Sequence, residues 1–77
     1  MLDSIKRGLV NVEFTINRSI AHCNGSPYDF GRVLARDGSY MARNWTTIDK
    51  VIRKHGTMSA DTLDEIQRGI DIRAQHD

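Results

Sequence analysis

Three breaks rich in glycine and hydroxyl residues, Asn24-Gly25-Ser26, Gly38-Ser39 and Gly56-Thr57-Met58-Ser59, cut this chain into four short segments. Each break carries the chemistry that ends one helix and starts another. Asn24-Gly25 supplies residues that accept positive φ, and Ser26-Pro27 supplies a hydroxyl cap followed by proline at the first helical position. Asp29 then falls in the first turn, where the helix dipole favours an anion. The sequences Arg36-Asp37-Gly38-Ser39 and Lys54-His55-Gly56-Thr57 each place a cation in a last turn, a glycine after it and a hydroxyl beyond. Helices are therefore predicted near 4–23, 27–37, 40–55 and 60–74. Helices of these lengths are stabilised mainly by packing on one another.

The apolar spacing supports the same division. Met41, Trp45, Ile48, Ile52 and His55 step by four, three, four and three, with Val51 widening the stripe. Leu63, Ile66, Ile70 and Ala74 form a second stripe, and Ile72 lies opposite it without an explanation in the sequence. The segment 27–37 offers Phe30, Val33 and Leu34 as inward residues. His55 and Cys23 read as packing residues on these faces.

The first segment reads two ways. Leu2, Ile5, Leu9, Val12, Ile16, Ile20 and Cys23 make an unbroken helical stripe, while Val10, Val12, Phe14 and Ile16 alternate with polar residues as a half-buried strand would. The longer match and the Asn24-Gly25 stop favour the helix, giving an all-α domain of about four helices. The alternative is an α+β fold with residues 9–17 as a strand. On the helix, Val10 and Phe14, with Ala21, form a second apolar line rotated roughly 140° from the first. With 77 residues and 30 apolar side chains in one domain, a single small core seldom supplies more than about 3–5 kcal/mol, so a homo-oligomer through Val10 and Phe14 is expected.

Charge is balanced overall at +1 but strongly segregated. Residues 30–56 carry a net +4 and residues 57–77 a net −3. The total is too small for a protein that coats nucleic acid by charge alone. Within the basic part, Arg43, Thr47, Lys50 and Lys54 recur at i, i+4, i+7 and i+11 opposite the Trp45 stripe, and Arg32 and Arg36 extend the line from the preceding helix. Such a face docks onto a protein carboxylate patch or onto phosphates. The Gly38-Ser39 turn invites comparison with a helix-turn-helix unit, yet Leu34 stands where a small residue usually packs. The Gly56 turn leads into an acidic helix, with Asp61, Asp64 and Asp71 outward, that phosphate would repel. A strand over 9–17 would permit a paired ribbon reading DNA with Asn11, Thr15 and Asn17, against which Glu13 stands in the middle of the polar face.

Catalysis has little support. His22 and Cys23 are neighbours and point about 100° apart on a helix. No metal-ligand motif, phosphate loop or cofactor motif occurs, and the single cysteine excludes an intrachain disulfide. Apolar runs stop at three residues, which predicts no membrane span and no secretory signal, and the lone thiol suits the cytoplasm. The sequence thus predicts a non-enzymatic regulatory or inhibitory binding protein. It docks on another protein in preference to DNA.

Overall fold

The computed structural model describes residues 2–76, with side chains placed for 7–73. It contains five helices, α1 (Leu2–His22), α2 (Pro27–Asp37), α3 (Tyr40–Arg43), α4 (Trp45–His55) and α5 (Ala60–His76), and no strand among the described residues. Residues 9–17 lie inside α1, so the strand alternative, and with it the paired ribbon, is corrected to helix. The extra helix arises at Asn44. Its side-chain amide donates to the Tyr40 carbonyl at 2.8 Å, and its backbone sits at φ −111° and ψ 14°, outside the helical range. What the sequence reads as one helix over 40–55 is therefore two, with Arg43 on the first and Thr47, Lys50 and Lys54 on the second.

The local signals act where the sequence places them. Ser26 Oγ accepts from the Asp29 N–H at 3.2 Å, Ser39 Oγ from the Ala42 N–H at 3.2 Å and Ser59 Oγ from the Thr62 N–H at 3.2 Å. Asn24, Gly25 and Gly38 take positive φ at the ends of α1 and α2. Gly56 does not, because its φ of −91° is open to any residue.

Leu9, Ile16, Ile20, Phe30, Leu34, Trp45, Ile52, Leu63 and Ile66 form one core. Phe30 and Trp45 meet edge to face with ring centroids 6.4 Å apart. Val12, Cys23, Met41, Ile48 and Ile70 pack against this core while partly exposed. Leu2, Ile5 and Ala74 of the predicted stripes lie outside the described side chains. His55 corrects the sequence reading: it is exposed, at the last position of α4 before the chain leaves the helix at Gly56.

The tightest packing joins α2 to α5. A Cβ on Gly31 would run into the Ile66 carbonyl, and one on Gly69 would run into the Tyr28 carbonyl. The two glycines face each other across the crossing, with both backbones in contact. The buried face of α5 consequently runs through Leu63, Ile66 and Gly69, and its border reaches Ile72, which lines a groove with Tyr28 and Arg32. Ile72 is thus half-buried at the edge of that face, beside a groove rather than in the core.

Gly8 contrasts with this pair, since a Cβ there would meet nothing within 4 Å. Gly31→Ala and Gly69→Ala should each force backbone shifts costing about 1–3 kcal/mol or more, a large part of the stability of so small a domain. Gly8→Ala should add about 0.5–1 kcal/mol through helix propensity alone. Circular-dichroism melts of the three variants give the check: the first two lower the melting temperature and the third raises it.

Candidate functional site

The outer face of α4 is built by its period. Trp45 and Ile52 are buried, so Thr47, Lys50 and Lys54, half a turn around, are exposed. Arg43, at the end of α3, is exposed as well. None of Arg43, Lys50 and Lys54 forms an ion pair with a described residue. Arg53, on the flank towards α5, behaves differently. Its Nε lies 2.9 Å from Asp49 Oδ2 and its Nη2 lies 2.8 Å from Asp64 Oδ1. These hydrogen bonds, to Asp49 first and then Asp64, hold its guanidinium above the ordinary arginine range and tie α4 to α5.

Arg32 and Arg36 are exposed one turn apart on α2. Together with Asp29, Val33 and Arg73 they line a groove of about 240 Å³ whose walls come from α2 and α5. They thus face a groove that α4 does not line, with a carboxylate among the guanidiniums. Val10 and Phe14 are 61% and 66% exposed, the values expected of an apolar line turned away from the core.

On the other flank of α4, towards α1, lies an apolar groove of about 270 Å³. Its described walls are Gly8, Leu9 and Val12 of α1 and Thr47, Ile48 and Val51 of α4. This groove depends on tertiary placement, so the sequence reading misses it. Part of its signal is legible: Val51 at the edge of its stripe and a glycine inside a helix.

What holds α4 beside α1 is Glu13, a carboxylate only 7% exposed. Its Oε2 accepts from the Thr57 N–H at 2.7 Å and the Met58 N–H at 3.0 Å, and its Oε1 accepts from the Thr57 hydroxyl at 3.2 Å. Oε2 would also sit 2.6 Å from a Cβ at residue 56, which explains the glycine there by space. Reading Glu13 as part of a polar face misses this role. Its position four residues after Leu9 and three before Ile16 puts it within the apolar stripe, where a buried carboxylate needs donors.

His22, Cys23 and Asp37 line one groove of about 350 Å³ between α1, α2 and the start of α3. No hydrogen bond joins the three, so no nucleophile is paired with a base there. Among the described residues no group of three or more His, Cys, Asp or Glu side chains is placed to hold a metal ion. No described helix is long and apolar enough to cross a membrane. Comparison of the chain with protein-family profiles, curated proteins and solved structures gives no match in any of the three.

Glu13→Ala would leave two backbone N–H groups of the α4–α5 connection without their acceptor, at about 1–3 kcal/mol each where they stay dry. The expected result is a melting temperature lower by about 10 °C or more. Faster amide exchange at Thr57 and Met58, measured by NMR, would locate the loss.

Proposed function

We propose that this chain is a small non-enzymatic regulatory or inhibitory binding protein that docks onto another protein through the basic face of α3 and α4, with Arg43, Thr47, Lys50 and Lys54 as its contacts. The observation that carries the reading is the contrast among the cations: Arg53 is committed twice within the fold, while Arg43, Lys50 and Lys54 are exposed with no partner among the described residues. An exposed ion pair adds little stability, so leaving these charges unpaired costs the fold little and keeps them available for association. A protein partner is favoured over DNA because α5 is acidic and the total charge is only +1, which gives weak attraction to a duplex as a whole. Arg32 and Arg36 act as a secondary contact from α2. A second copy of the chain associates through Val10 and Phe14, where burying one phenylalanine contributes about 1.5–3 kcal/mol. The cytoplasm suits a chain with one thiol.

Two measurements test the reading. A fluorescent duplex titrated at two salt concentrations with wild type, Arg43→Ala, Lys50→Ala and Lys54→Ala should show only weak binding. Submicromolar affinity that falls evenly across the three variants would place phosphate on this face instead. Sedimentation should give a dimer or larger for wild type and a folded monomer for Phe14→Asp. A wild-type monomer at high micromolar concentration would remove the self-association.

A further inference from the structure

We infer that the apolar groove between α1 and α4 is the anchor site for an acidic amphipathic helix of the partner protein, whose apolar residues seat between Gly8 and Val51 while its carboxylates meet Lys50 and Lys54. The inference rests on the reading of the α4 face as a protein-docking surface, and names what that surface takes.

Three observations converge on it. The described walls of the groove are aliphatic apart from Thr47, no carboxylate is among its described lining residues, and at about 270 Å³ it is too small to enclose a drug-sized molecule. It adjoins the basic line: Thr47 belongs to both, and Lys50 and Lys54 lie next to Thr47 and Val51 on the same helix surface. On the opposite lip, Asn11 and Thr15 of α1 are exposed and uncharged. The surface therefore offers an apolar slot with positive charge along one side. An amphipathic helix carrying leucine-like residues at i, i+3 and i+7 with acids beside them complements that pattern.

Gly8 supplies the third observation. Gly31, Gly56 and Gly69 are required by atoms that a Cβ would strike, and Gly25 and Gly38 take positive φ. Gly8 has neither reason, although it lies inside α1, where glycine weakens a helix. Its missing side chain keeps one wall of the groove open. Among the described residues, no atom comes within 4 Å of a Cβ placed there.

The test uses a fluorescein-labelled peptide with leucine at i, i+3 and i+7 and glutamate at the flanking positions, and a control with serine in place of leucine. Wild type should bind the leucine peptide, and the serine peptide should bind at least about tenfold more weakly. Gly8→Leu, which fills the groove where a side chain has open space, should also weaken binding at least about tenfold without lowering the melting temperature. The double variant Lys50→Glu with Lys54→Glu should weaken it too. Equal binding of both peptides, or wild-type affinity in Gly8→Leu, would overturn the groove as the anchor. The basic-face reading survives that outcome if the double lysine variant still loses binding. Binding untouched by the lysine reversals would overturn the acidic partner and the basic-face reading together. A wild-type dimer that Gly8→Leu converts to monomer would show that a second copy occupies the groove, and would also overturn the proposal.

Discussion

The contact between Gly31 and Gly69 fixes the arrangement of the other helices. Two helices normally keep their axes apart by the bulk of their side chains, but here each backbone rests on a carbonyl of the other. Close approach turns α2 and α5 into a single platform, and the inward side chains Phe30, Leu34, Leu63 and Ile66 converge on its core. α1 and α4 lie over that core, with Ile16 and Ile52 almost wholly buried. Glu13 then ties the two overlying helices at one end through the Thr57 and Met58 amides. In a chain too short for a large core, a backbone contact and one buried carboxylate with three donors do what additional apolar layers do in larger proteins.

Sequence and structure agree best where the physics is local. The serine caps at Ser26, Ser39 and Ser59 depend on atoms three residues away, and each forms the bond its position implies. The outward line of Thr47, Lys50 and Lys54 depends on helical period alone, and it too is legible. Gly31 and Gly69 are not, because a glycine inside a helical pattern reads as a weakness until the helix lying against it is known. Glu13 is misread for a related reason: a charged residue defaults to the surface, and its donors lie more than forty residues away. Asn44 looks like one more polar residue in a continuous helix. Its bond to the Tyr40 carbonyl interrupts that helix without leaving a periodic trace.

The same division of labour orders the surface. Some charges pair across helices, as Arg53 does with Asp64, or within one, as Arg68 does with Glu65. Arg43, Lys50 and Lys54, exposed and without an ion pair among the described residues, lie on α3 and α4 beside a groove whose described walls are almost wholly aliphatic. An apolar anchor next to a cationic border is how a small surface gains both affinity and selectivity, since the apolar contact supplies most of the binding energy and the charges reject partners of the wrong sign. The groove that Arg32, Arg36 and Arg73 line is built differently, with Asp29 among its guanidiniums. It has charge of both signs, and Val33 is the one apolar residue among its described lining, so it lacks a comparable aliphatic anchor.

The central claim is that binding falls on the α1–α4 face while the α2–α5 platform serves as scaffold. A backbone-amide NMR titration with an acidic amphipathic peptide tests this most directly, because it reports every helix at once. The account predicts shift changes concentrated at Gly8–Val12 and Thr47–Lys54, with the amides around Gly31 and Gly69 unmoved. Changes concentrated at Arg32, Arg36 and Arg73, or along Phe14 and Ala21 with Thr47–Lys54 unmoved, would contradict it.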